Sequence, residues 1–174
     1  MHSEATGSID WYRPDPRAII PLDGFHVSRS LARTISRADF TVTVNSAFEG
    51  VMRACGDRAE GTWISEEFIE VYSALHRQGK AHSVEVWSGD RLVGGLYGLA
   101  LGAAFMAESM FHYETDASKV ALAALVDRLR SRGFCLLDTQ YLTPHLISLG
   151  ATEIPHAEYF NRLQAALVIP CRFT

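Results

Sequence analysis

A chain of 174 residues, 48% hydrophobic and 10% aromatic, is long enough for one domain with a real core, which excludes wholesale disorder. A net charge of −4 at pH 7 excludes the uniformly basic footprint of a non-specific nucleic-acid binder, but leaves room for a local basic face. No apolar run approaches the length of a membrane span. The polar, acidic start MHSEATGSID carries neither a basic nor an apolar signal region, so a cytoplasmic protein without membrane contact is expected. Three scattered cysteines, Cys55, Cys135 and Cys171, suit a reducing compartment, and seven histidines form no HExxH or HxH pair, so no metal is expected.

In chain order, residues 1–10 read as a flexible tail. WYRPDPRAIIPLDGF (11–25), with its prolines and aromatics, reads as an extended segment rather than a helix. Ser28 is placed to cap a short helix over SRSLARTI, with Leu31 and Ile35 on one face. Arg13, Arg17, Arg29, Arg33 and Arg37 gather here against Asp15 and Asp23. Such a run is either a solvated face or a contact to a phosphate backbone.

FTVTV (40–44) alternates as a strand, and Ala47, Val51 and Met52 mark a short helix that ends near Gly56. Ser65 opens a second helix whose inner stripe is Phe68, Tyr72 and Leu75 and whose stop is Gly79. HSVEVW (82–87), RLVGGLYGLAL (91–101) and AAFMAESMF (103–111), joined by tight turns, predict an antiparallel meander. Its glycines 94, 95, 98 and 102 predict a bulge or a close approach of backbone or ligand. Thr115 or Asp116 is placed to cap a long helix that runs to Gly133. FCLLDTQY (134–141) is continuously apolar at its start and reads as a buried strand. A short helix from Thr143-Pro144 carrying Leu146 and Leu149, a strand ATEI and a helix from Pro155 complete the order. This is a mixed α/β layer fold with the long crossover helix packed on the sheet.

Two buried strands carry polar groups: Glu108-Ser109 within FMAESMF, and Asp138, Thr139 and Gln140 after CLL. Strand alternation puts Asp138 and Gln140 on one face, with Thr139 pointing away. If the two strands are close, Glu108, Asp138 and Gln140 converge on one pocket. A buried carboxylate requires partners, so the set reads equally as a structural network or as a site. Trp63 at a loop–helix junction is a core anchor or a stacking platform. His82 and Glu85 point to opposite faces of their strand. No P-loop, GxGxxG or nucleophile elbow is present.

The blocks GTWI (61–64), LHxxGxAHSVEVW (75–87), LVGGLYG (92–98), ESMF (108–111), DASKVAL (116–122), LLDTQ (136–140) and HLxSLGAxEIP (145–155) occur in this order. Together they closely resemble the leucyl/phenylalanyl-tRNA–protein transferase family over roughly residues 11–163. The resemblance implies a GCN5-related N-acetyltransferase-like α/β fold: a mixed sheet with flanking helices. It implies a reduced N-terminal region over 1–60 and an acyltransferase-like catalytic domain over 61–174. It also implies bacterial cytoplasmic enzymes that move Leu, Phe or Met from aminoacyl-tRNA to an N-terminal Arg or Lys of a protein, marking it for degradation. No metal or small cofactor is implied, and a monomer is expected.

By the same resemblance Asp138 holds Gln140, which orients the attacking amine, and Glu108 lies beside the cationic acceptor. Leu96, Phe105, Met110, Leu122, Leu125 and Leu137 would line the pocket for the donated side chain. Trp63 would stack on the terminal adenine of the tRNA, and Arg13, Arg17, Arg29, Arg33 and Arg37 would meet its stem. The sequence departs from the family pattern at Ala107, where Gly is usual, at His112-Tyr113, where Ser-Arg is usual, and in an N-terminal arm that the pattern has upstream of Trp11. Those departures keep two other readings open: aminoacyl transfer from tRNA to a small-molecule amine, and a non-catalytic tRNA- or peptide-binding module. An acyl-CoA transferase fits less well, because the acidic HYETDASK stands where a glycine-rich pyrophosphate loop is expected.

Overall fold

The structure, a computed structural model, describes residues 13–37, 39–59 and 61–174. The tail expected over residues 1–10, and Trp11, lie outside the described residues. Seven strands form one sheet in the order β2-β3-β4-β5-β6-β1-β7. They are β1 (Arg17–Ile19), β2 (Thr41–Val44), β3 (Ala81–Ser88), β4 (Arg91–Leu101), β5 (Ala104–His112), β6 (Leu136–Gln140) and β7 (Thr152–Ile154). The helices are α1 (Arg29–Ser36), α2 (Phe48–Gly56), α3 (Glu66–Arg77), α4 (Ala117–Ser131), α5 (Pro144–Ile147) and α6 (His156–Leu167).

The expected meander is β3-β4-β5. Every pairing is antiparallel except that of β5 with β6, which is parallel because α4 carries the chain across the sheet between them. The mixed α/β class expected of the chain is therefore the class it has.

Alternation along β5 divides the core. Phe105 joins Leu96, Leu122, Leu125 and Leu137 in the cluster beneath α4, while Ala104 and Met106 pack on the opposite face with Tyr159 of α6. Helices α2 and α3 cover the other half of that opposite face through Val51, Met52, Ile69 and Tyr72. At Gly94 a Cβ would lie 2.5 Å from the Ala117 Cβ, so the start of α4 rests directly on bare strand backbone.

Several local expectations shift. The extended segment at 17–19 is a strand inserted between β6 and β7. Ser28 does cap α1, its Oγ accepting from the Leu31 N–H at 3.2 Å. Ile35, however, is 43% exposed, because only the Leu31 turn of this short helix reaches the core. In α3 the fully buried positions are Ile69 and Tyr72, with Phe68 and Leu75 at the edge. Asp116 occupies the cap position of α4 but makes no cap bond; its carboxylate pairs with Lys119 Nζ at 2.7 Å. Glu85, on the face opposite His82, is fully buried and accepts from Ser83 Oγ and, at 2.7 Å, from Thr43 Oγ1.

Candidate active site

Glu108 is the extra residue of a β-bulge. Tyr97 pairs with Ser109 and the next residue, Gly98, pairs with Ala107, which leaves Glu108 unmatched in the ladder. Gly98 permits this: a Cβ there would run into the Met106 carbonyl and the Phe105 ring. The glycine-marked irregularity expected in β4 is thus the partner of a bulge in β5, and the bulge aims a carboxylate out of an otherwise apolar strand.

The second device is a parting of strands. β5 and β6 pair from Ala104↔Leu136 to Met106↔Asp138, and their ladder goes no further. Beyond that point the Gln140 side chain spans the gap, its Nε2 donating to the Ala107 carbonyl at 3.3 Å and to Glu108 Oε2 at 3.1 Å. Both neighbours are acceptors, so the amide nitrogen faces them and Oε1 is left to accept from something else.

Gln140 stands at φ 65, a conformation that costs a residue with a Cβ about 1–3 kcal/mol. Its backbone N–H donates to Asp138 Oδ1 at 2.8 Å, which offsets that strain locally. Asp138 is fully buried and heavily engaged. Arg17 meets it with a two-pronged pair, Nε to Oδ1 at 3.0 Å and Nη2 to Oδ2 at 2.7 Å. Tyr159 donates its hydroxyl to Oδ2 at 2.7 Å, and the Arg17 guanidinium lies 5.1 Å from the Tyr159 ring centre.

The three expected residues come together: Asp138 accepts from the Gln140 N–H, and Gln140 donates to Glu108. Asp138 faces Arg17 and Tyr159 below the sheet, while Thr139 and Gln140 line the cleft. The left-handed turn at Gln140 interrupts β6 at its last residue, and Thr139, expected to point away, lines the cleft as well. Asp138 acts on the cleft through Gln140.

The cleft holds about 1060 Å³. Trp63, Glu108, Met110, Thr139 and Gln140 form part of its wall, with Arg58, His112 and His145 around them. Trp63 is half-buried, edge-on to Phe68 with ring centres 5.4 Å apart. Among the residues expected to line an apolar pocket, Met110 is at the cleft. Leu96, Phe105, Leu122, Leu125 and Leu137 are fully buried in the cluster under α4, against which Met110 packs. Arg13, Arg29, Arg33 and Arg37 are exposed and lie outside the cleft lining, whereas Arg17 is drawn into the site by Asp138.

Burial pushes the Glu108 carboxyl above the usual glutamate range; the Gln140 hydrogen bond opposes the shift and the nearby Asp138 charge adds to it. The Tyr72 hydroxyl lies beside Glu108, and burial and that neighbour hold it well above the ordinary tyrosine range. Burial lowers His145.

Sequence reasoning did not reach Tyr159, Tyr72 or Arg58, nor the pairing of Arg17 with Asp138. An aspartate within an apolar run signals that a cation or several donors must meet it, and the prolines that hold residues 13–21 extended make Arg17 a candidate. Nothing in the spacing singles out Tyr159.

A seven-stranded mixed sheet that opens between its parallel pair into a cleft defines a mixed α/β fold. Among solved structures, that of L-PGS from Bacillus licheniformis shares it, with TM-score 0.51 and 14% identity over 79% of this chain and 51% of that one. Residues 19–164 match the family model for leucyl/phenylalanyl-tRNA protein transferase. Relatives carrying that name include one from Cereibacter sphaeroides, 60% identical over 95% of this chain and 77% of the relative. Others come from Herpetosiphon aurantiacus, at 58% identity over 96% and 87%, and Chlorobaculum parvum, at 56% over 96% and 88%. The chain belongs to the leucyl/phenylalanyl-tRNA protein transferase family and is an aminoacyltransferase.

Proposed function

We propose that this protein transfers Leu, Phe or Met from aminoacyl-tRNA to the α-amine of proteins beginning with Arg or Lys, in the cytoplasm, marking them for degradation. The observation that carries the reading is the Gln140–Glu108 bridge across the parted strands, at the wall of a cleft large enough for two substrates. The amine nitrogen attacks the ester carbonyl carbon and forms the amide. The carbon–oxygen bond to the ribose breaks, and the ribose hydroxyl takes up the proton that the amine loses.

Because the ester is already activated, positioning and charge placement are the main tasks left to the protein. Gln140 accepts an amine N–H at Oε1 and so directs the lone pair at the ester. Asp138 positions Gln140 through its backbone N–H. Glu108 takes the cationic acceptor in a half-dry setting, where an opposite charge is strongly felt. The terminal adenine stacks on Trp63, a contact worth roughly 1–3 kcal/mol in single-strand readers. The donated side chain enters at Met110, where the cleft meets the cluster of Leu96, Phe105, Leu122, Leu125 and Leu137. Discrimination there is about 1–3 kcal/mol per methylene. The exposed arginines of α1 receive the tRNA backbone.

The test is transfer of labelled leucine from leucyl-tRNA to a peptide beginning with Arg or Lys. Wild type is expected to label it, and Gln140→Ala and Glu108→Ala to lose most of the activity. Absence of transfer from Leu-, Phe- and Met-tRNA at saturating peptide would sink the proposal. Labelling of a small amine but not of the peptide would redirect it to the other acceptor class.

A further inference from the structure

Arg58 and Glu108 are the one Arg or Lys and the one carboxylate among the described residues of the cleft wall. Opposite charges in one cleft suit two substrates of opposite charge: Glu108 meets the cationic acceptor, and the donor is a polyanion. Arg58 follows the end of α2 and is held by two bonds. Its Nε donates to the Cys55 carbonyl at 3.0 Å and its Nη2 to Ser109 Oγ at 2.9 Å. Ser109 follows the bulged Glu108, so the same irregularity that aims the carboxylate also orients the guanidinium.

No carboxylate among the described residues pairs with Arg58, and the rest of its N–H groups have no protein acceptor there. An exposed guanidinium whose orientation is fixed by neutral acceptors and whose remaining donors face a cleft is organised for a doubly accepting oxyanion. Trp63, five positions further along the chain, is at the same wall.

We infer that Arg58 binds the phosphodiester that joins the last two nucleotides of the donor, and that with Trp63 it sets the register of the terminal nucleoside in the cleft. The inference rests on the reading of the donor as an aminoacyl-tRNA with its terminal base on Trp63. The phosphate 5′ to that nucleoside is the donor anion nearest the stacked base.

The experiment compares leucyl-tRNA, a leucyl-CpA dinucleotide, which keeps one phosphodiester, and leucyl-adenosine, which has none. Arg58→Ala is expected to raise KM about tenfold or more for the first two, the range for a lost charge-assisted pair, with the leucyl-adenosine KM unmoved. Arg58→Lys, which keeps charge but not the fork, falls between. For leucyl-tRNA, the slope of log KM against log salt is expected to become shallower by about 0.7 in Arg58→Ala, the single-strand increment for one phosphate. Titrating unreactive CpA and adenosine into each variant, followed by NMR, gives the same comparison without turnover.

An equal loss on all three donors, or an unchanged dinucleotide KM and salt slope, overturns the assignment. Trp63→Ala separates the two ideas. It weakens every donor if the base stacks there, and an unaffected leucyl-adenosine refutes the stacking while leaving the Arg58 result standing.

Discussion

Glu108 is held where its charge is costly. Its carboxyl is pushed up chiefly by burial, with Gln140 pulling against the shift. A carboxyl whose pKa is higher folded than unfolded destabilises the fold above its unfolded value, near 4.3 for a glutamate. The penalty fades as pH falls into and below that range. Glu108→Gln removes it, so the variant is expected to melt higher than wild type at about pH 7.5, with the difference closing near pH 4. Thermal unfolding across that range checks this; a variant that melts lower than wild type at neutral pH refutes it. If the same substitution costs activity, the carboxylate serves the acceptor's cation proposed above and not stability.

The bulge in β5 makes a larger demand, because it needs the backbone opposite to be bare. Gly98→Ala drives a methyl into the Met106 carbonyl and the Phe105 ring, both held by the sheet. The expected cost is about 1–3 kcal/mol, as for an overpacked core, or more if the ladder slips. Transfer activity should fall further than that loss of stability explains, because a strand that sheds its extra residue turns Glu108 out of the cleft. Chemical denaturation read alongside turnover separates the effects; a stable variant with normal activity would show that the bulge is dispensable.

This element also shows where reading from sequence succeeds and stops. The meander, the long crossover helix and the identities of Glu108, Asp138 and Gln140 could be read from apolar periodicity, turn glycines and misplaced polar residues. The backbone irregularities that place them could not. Alternation assumes an unbroken strand, and two backbone irregularities, the bulge at Glu108 and φ 65 at Gln140, sit at the two residues concerned. Glycine content signalled that an irregularity existed but not which strand carries the extra residue. Tyr159 and Arg17 reach Asp138 across 21 and 121 residues of chain, a juxtaposition that only the closed sheet creates.

Across the protein, charge is distributed against its sum. The net charge is −4, yet Arg29, Arg33 and Arg37 are exposed on one short helix and its cap. If that face meets the donor's phosphates, replacing all three by Ala weakens leucyl-tRNA binding. The slope of log Kd against log salt should flatten by about two to three, near 0.9 per duplex phosphate. Transfer from leucyl-adenosine is expected to be unchanged, because that donor has no stem. A parallel shift with an unaltered slope would mean that the helix does not contact the nucleic acid.

The four groups that answer Asp138 and Glu108 from elsewhere in the chain have a consequence for any attempt to isolate the chemistry. Arg17, Tyr72, Gln140 and Tyr159 belong to β1, α3, β6 and α6, and the shortest stretch that contains them all runs from 17 to 159. No excised motif, however faithful to LLDTQ or ESMF, carries the carboxylate's own neutralising partner with it. The proposed site is divisible on paper into short words, but in the molecule it exists only as a closed circuit.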